Sequence, residues 1–147
     1  MSKGKLAKLP KLLLQVHLTF TGNCKTAFEF YQQCIGGELE LHTLAQQADA
    51  KLLPDSAKEL VLQASLHHKN WSLHGSDLVS EKGRIIGNAV TIVLISETEK
   101  EARNYYSKLV RHGVATHPLK RNKAGVLYGD LTDGFHNNWI ITNQLNH

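Results

Sequence analysis

The sequence predicts a mixed α and β fold in which one unit, a strand, a helix and three further strands, is used twice. Two observations carry this reading. The stretch LTFTGNCKTAFEFYQQCIGGELEL, residues 18–41, reads strand, helix, strand. The same order returns later, where NAVTIVLIS, residues 88–96, is an apolar strand followed by a helical stripe and three strand candidates. Residues 12–78 and 88–144 thus read as two copies of one arrangement with little shared identity, which implies two modules around one core.

The elements follow in order. Leu12, Leu14, Val16, Leu18 and Phe20 are apolar, whereas Gln15, His17 and Thr19 between them are polar, so the first strand has two chemically different faces. Asn23 suits a helix N-cap, since its side-chain oxygen can accept from an orphan amide of the first turn. Ala27, Phe30, Tyr31 and Cys34 form the apolar stripe of that helix. Gly36 closes it in a left-handed conformation and Gly37 lets the chain turn. Glu38 to Leu41 alternate as a half-buried strand does. Residues 45–60 read as a loop with one helical turn, and 61–78 as two strands joined at Lys69-Asn70. Residues 81–87 form a turn-rich joint. In the second copy, Ser96 with Glu99 makes a capping box. Ala102, Tyr105, Tyr106, Leu109 and Val110 form the stripe, which ends at His112-Gly113. VATHPLKR, AGVLYGDL and NNWIITNQ supply the last three strands.

At 147 residues, 41% hydrophobic and 20% charged, the chain fits a soluble globular protein with a real core. No apolar run approaches the ~20 residues of a bilayer span. The opening MSKGKLAKLPKLLLQV is basic, with a short apolar run and no signal-cleavage pattern, which points to a cytoplasmic protein. Cys24 and Cys34 lie ten positions apart on one helix, roughly 15 Å, too far for a disulfide. Two reduced thiols suit a cytosolic setting. The net charge of +4 owes much to Lys3, Lys5, Lys8 and Lys11 in a flexible tail over 1–11. The other basic residues are scattered among acids, and no zinc-finger or ribonucleoprotein pattern is present, so nucleic-acid and membrane partners are not expected.

Three motifs together carry a family resemblance. They are FTGNCKTAFEFYQQCIGGEL, VLQASLHHKNWSLHGSD and PLKRNKAGVLYGDLTDGFHNNWIIT. Their order and spacing resemble the vicinal oxygen chelate superfamily, the glyoxalase and bleomycin-resistance fold, and within it the PhnB-like branch, over residues 12–143. The resemblance implies an α+β fold of two βαβββ modules, 12–80 and 88–147, whose mixed sheets curl around a cleft with helices on the convex side. Leu14, Val16, Leu18 and Phe20 would then pack under the helix, and Gln15, His17 and Thr19 would face the cleft. It also implies a homodimer.

In metal-dependent relatives a residue on the first strand, one on the third and a Glu near the end of the last hold a divalent ion, which polarises vicinal oxygens. The matching positions here are Gln15, Gln63 and Ile140. Two neutral amides and an isoleucine make a poor cation site, so no metal cofactor is expected. His17, His67 and His74 keep a weaker option open, while His67 and His68 point to opposite faces and cannot share an ion. Lys123-Ala124 stand where the branch often carries Phe-Trp, which would suit a more polar or anionic ligand. No Gly-rich phosphate loop or Gly-x-Ser-x-Gly elbow occurs. Asp130 and Asp133 read as turn residues bonding local amides. The expectation is a small-molecule binding protein without a catalytic metal, using Gln15, His17, Gln63, His67 and Tyr128. The alternatives are a metal-dependent lyase, isomerase or dioxygenase-like enzyme, and an interaction module with no working pocket.

Overall fold

Two four-stranded mixed sheets, each with a long helix on one face, realise the repeated unit in the computed structural model. The structure describes residues 12–47, 50–78 and 83–143; the basic tail expected over 1–11 lies outside them. The first unit comprises β1 (His17–Thr19), α1 (Cys24–Ile35), β2 (Glu38–Thr43), β3 (Val61–His68) and β4 (Trp71–Ser76). Between β2 and β3 lie two short 3-10 turns, Leu44–Gln46 and Ala50–Leu52, and the one-turn helix α2 (Asp55–Lys58). The second unit comprises β5 (Ile92–Ile95), α3 (Glu99–Leu109), β6 (Val114–Arg121), β7 (Leu127–Thr132) and β8 (Asn138–Thr142).

Strand order is β1-β4-β3-β2 in one sheet and β5-β8-β7-β6 in the other. In each, the first pair is parallel and the others antiparallel. A parallel pair needs a crossover, which the helix after β1 or β5 begins. Both helices pack on their own sheets and on each other. Tyr31 of α1 reaches across to Trp139 of β8, at 5.6 Å between ring centroids. Phe20, Phe30 and Phe135 complete that aromatic joint, so one core serves both units.

Asp133, itself buried, fastens the joint. Its Oδ2 accepts from the Tyr31 hydroxyl at 2.6 Å and from Trp139 Nε1 at 2.9 Å. Its Oδ1 accepts from the amides of Phe135 and Asn137. The turn role expected of Asp133 is therefore half its task. Asp77 plays a similar part in the first unit, accepting from the amides of Gly22, Cys24 and Val61.

Several local expectations are corrected. The first strand is only three residues long, and Leu14 and Val16 are 92% and 40% exposed, so the helix covers Leu18 and Phe20 alone. The buried stripe of α1 is Cys24, Ala27, Phe28, Tyr31 and Cys34; Phe30 is half-buried. Asn23 makes no side-chain cap bond, and the Asp77 carboxylate instead takes the Gly22 and Cys24 amides at the start of the helix. Gly36 does have positive φ, at 80°, but its ψ of −163° is not left-handed helical. The N-cap of α3 is Thr98, whose Oγ1 accepts from the Glu101 amide and donates to its carboxylate, two residues past the expected pair. Asp130 is a β7 strand residue and not a turn residue.

Candidate functional site

Register and alternation decide which residues line each open sheet face. In the first sheet Leu18, Gly75 and Ala64 fall in one row. A Cβ at Gly75 would meet the Phe28 ring at 2.6 Å, so this row faces α1. The intervening residues point the other way. They are His17 and Thr19 on β1, Ser72, His74 and Ser76 on β4, and Gln63, Ser65 and His67 on β3. Among the described residues no element covers this face.

The face is polar yet tightly organised. His74 is 8% exposed and lies between two serines, with Nδ1 3.3 Å from Ser65 Oγ and Nε2 3.0 Å from Ser72 Oγ. His17 Nε2 is 3.1 Å from Ser76 Oγ, and Ser76 is 2% exposed. The His67 and His74 rings meet edge-on at 5.8 Å. On the far side, His67 Nε2 lies 3.9 Å from Glu40 on β2. Burial, then the neighbouring His67 and His17, hold the His74 imidazole below its ordinary pKa.

The five residues expected to bind a ligand do not all meet within one chain. His17 and His67 flank His74 on this face. Gln63 shares the face one step along β3, where it pairs with His42. Gln15 precedes β1 and is exposed. Thr19 pairs with Ser76, level with Gln63, so Gln15 sits four residues away, roughly 13 Å of extended chain. Tyr128 stands on the open face of the second sheet. Its hydroxyl donates to Asp130 Oδ2 at 3.3 Å, and His117 Nδ1 lies 2.9 Å from Asp130 Oδ1. With Lys120 and Asn122 these residues line a depression of about 240 Å³. Burial and then the Asp130 carboxylate push the Tyr128 hydroxyl up.

A larger groove of about 620 Å³ runs between β1 and β5, lined by Val16, His17, Thr19, Ile86, Val90 and Asn138 among others. Arg84 flanks it, its guanidinium donating to the Phe135 carbonyl at 2.9 Å and lying 5.4 Å from the Phe20 ring centre. The serines around His74 and the His117–Asp130 pair were not among the expected site residues, and His74 was expected only as a weaker metal option beside His17 and His67. Ser65 on β3 and Ser72 and Ser76 on β4, which share the parity of His67 and His74 along their strands, were the sequence signal for the first group.

The donors do not fit a catalytic metal. Ile140, at the third ligand position, pairs with Asp130 and Val93 and offers no donor atom. Among the described residues no group of three or more His, Cys, Asp and Glu side chains has metal-binding geometry. Nor is there an accessible nucleophile in the two thiols. Both are buried and free, with burial pushing Cys24 up to about 12, helped by Asp77, and Cys34 up to about 11. What the face can do is hold hydrogen-bonding groups. No described helix is long and apolar enough to cross a membrane.

Comparison with known proteins agrees with the fold. No family model matches the chain. Protein YjdN of Escherichia coli (strain K12) is 27% identical over 137 residues, covering 87% of this chain and 92% of YjdN. The crystal structure of PA1353 from Pseudomonas aeruginosa superposes with a TM-score of 0.79 at 25% identity, covering 92% of this chain and all of that one. The PhnB protein from Bacillus cereus has a TM-score of 0.70 at 20% identity, covering 89% and 98%. The fold is also that of glyoxalase/bleomycin resistance proteins from Albidiferax ferrireducens and Burkholderia phytofirmans. Both are 11% identical, cover 89% of this chain and 97% of theirs, and have TM-scores of 0.60 and 0.61.

Proposed function

We propose that this chain, which has the vicinal oxygen chelate fold in its PhnB-like form, binds a small molecule on the open face of its first sheet without a catalytic metal. One observation carries the reading: the buried residues of that face are polar and bonded to one another. A sheet face left to bulk water would carry long charged side chains. Here short hydroxyls and imidazoles hold each other in fixed positions, as a binding surface with oriented donors requires. The neutral Gln63 and the apolar Ile140 support a metal-free site. Binding without turnover needs only shape and hydrogen bonds.

A second copy of the chain would complete the site. The second sheet leaves Val93 and Ile95 51% and 45% exposed on its open face, with Tyr128 on the same face two strands over. Adjoining apolar residues of this kind mark an interaction surface. In a homodimer this face would roof the first sheet of the partner, bringing Tyr128 towards Gln15, His17, Gln63 and His67. Core-buried thiols suit a reducing cytoplasm.

The test is a thermal-shift screen followed by calorimetry of the stabilising compounds with EDTA present. Binding should persist in EDTA and be lost in the double variant Gln63→Leu/His67→Leu. Loss in EDTA would overturn the metal-free reading, and indifference to the two substitutions would overturn the site. Sedimentation at micromolar concentration should give a dimer, and a monomer would contradict the roofed site.

A further inference from the structure

We propose that the face formed by β1, β4 and β3 selects an oxyanion-bearing ligand, one with a sulfate, phosphate or carboxylate group, through His17, His67 and His74 and the serine hydroxyls between them. This names the ligand class of the site proposed above and so rests on that reading.

The composition of the face favours an anion. Its eight residues, three histidines, three serines, Thr19 and Gln63, can all donate hydrogen bonds, and none is a carboxylate. The acids of the same sheet face, Glu38 and Glu40, are confined to the edge strand β2 beyond His67. Asp77, which follows β4, turns its carboxylate inward to three backbone amides. A three-strand patch stripped of acid and supplied with donors is matched to an acceptor-rich anion.

The imidazoles are placed to converge. His17 pairs with His74 across β1 and β4, and His74 pairs with Ser65 beside His67 on β3. The three rings therefore stand on three adjacent strands, which are spaced about 4.8 Å apart, and the His67 and His74 ring centres lie 5.8 Å apart. His74 is held below its ordinary value by burial first and then by repulsion from His67 and His17. An anion seated among them would offset that repulsion. By linkage, whatever favours the protonated rings is itself favoured by them, so affinity must rise as pH falls.

The serines add a geometric reason. A neutral His74 accepts a hydrogen bond at one ring nitrogen, so Ser65 or Ser72 can aim its proton at the ring. A protonated His74 donates from both nitrogens, and both hydroxyls must turn their protons elsewhere. The open face is the direction left to them. Proton uptake would thus convert the one ring-directed hydroxyl into a ligand-directed donor and leave both serines free to donate across the open face. Other charged or titratable groups facing the patch are Glu38, Glu40 and His42 on β2, with Arg84 and His136 along the groove next to His17. The two acids lie on the far edge and the two basic groups on the near one, which places the anion over β1 and β4.

Sulfate is the probe, because its charge is constant across the range in which imidazole titrates. The full chain is titrated with sodium sulfate at fixed ionic strength, following the imidazole resonances by NMR. The expected result is a saturable shift of His17, His67 and His74 together, with affinity about tenfold higher near pH 5.5 than near pH 8. His68→Gln, one residue away on the opposite face, should leave this unchanged, whereas His17→Gln/His67→Gln should abolish both saturation and pH dependence. Both residues in that double variant are exposed, so folding is retained and checked by melting. Unsaturable shifts, or a double variant that binds as the parent does, would overturn the proposal. Phenyl sulfate and benzyl alcohol separate the two levels of the argument. Face resonances that respond to phenyl sulfate and not to the alcohol support an oxyanion site. A response to benzyl alcohol alone overturns the oxyanion and leaves small-molecule binding standing. No response to any of the three probes overturns both.

Discussion

Replacing Asp133 with asparagine puts the joint between the two units under direct load. The carboxylate takes four donors: the Tyr31 hydroxyl and Trp139 Nε1 at Oδ2, and two backbone amides at Oδ1. The amide of Asp133→Asn is nearly isosteric and can keep its oxygen towards the two backbone amides. Its NH₂ then confronts Tyr31 and Trp139, both donors. Trp139 is 1% exposed and Tyr31 fully buried, so water cannot replace the lost acceptor. Two orphaned buried donors at ~1–3 kcal/mol each give a loss of about 2–6 kcal/mol. At this chain length that is a melting point lower by roughly 5–15 °C. Tyr31→Phe should lose less, about 1.5–3 kcal/mol, because the carboxylate keeps three donors. Urea unfolding followed by tryptophan fluorescence measures both. The alkaline limb gives a second check. Burial, then Asp133, raise the Tyr31 hydroxyl well above its ordinary pKa. The stability this contributes is fully present below about pH 10 and is lost as pH rises through the folded value. Tyr31→Phe should flatten that limb. A loss below ~0.5 kcal/mol for Asp133→Asn would refute the reasoning, since it is the ordinary effect of a surface change.

The acid limb should depend on His74. Its folded pKa is depressed, so its contribution is present above about pH 6.5 and is lost as pH falls through the folded value; His74→Gln should flatten the stability curve there. Gly75→Ala should destabilise by about 1–3 kcal/mol in urea, because the new methyl would lie 2.6 Å from the Phe28 ring and 2.8 Å from the Leu18 carbonyl oxygen. Neither cysteine should react with Ellman's reagent in the native chain, and both should react in denaturant; rapid native labelling would contradict the burial of the thiols.

The strand, helix and three-strand unit was legible because period and punctuation are local. Gly36-Gly37, the Lys69-Asn70 turn and the alternation of Glu38 to Leu41 each act within a few residues. What failed depended on distant partners. The Cys24 amide at the start of the helix, which Asn23 was expected to help satisfy, is taken by Asp77, 53 residues along from Cys24. Leu14 and Val16 have the right alternation for a buried face, but periodicity does not say how far the covering helix extends. FEFY offers two adjacent stripes, and only packing against Gly75 chooses Phe28 over Phe30. In the site, His17 and His67 were readable by parity along their own strands. His74 with its serines, and His117 with Asp130, exist only once strand register sets them side by side.

A crystal structure of the chain with the most stabilising compound of the metal-free screen bears most directly on the central claim. The account predicts ligand density on the open face of the first sheet, within hydrogen-bond distance of His17, His67 or Gln63. Density lodged instead in the groove beside Arg84, or against His117 and Asp130 with the first sheet empty, would contradict it.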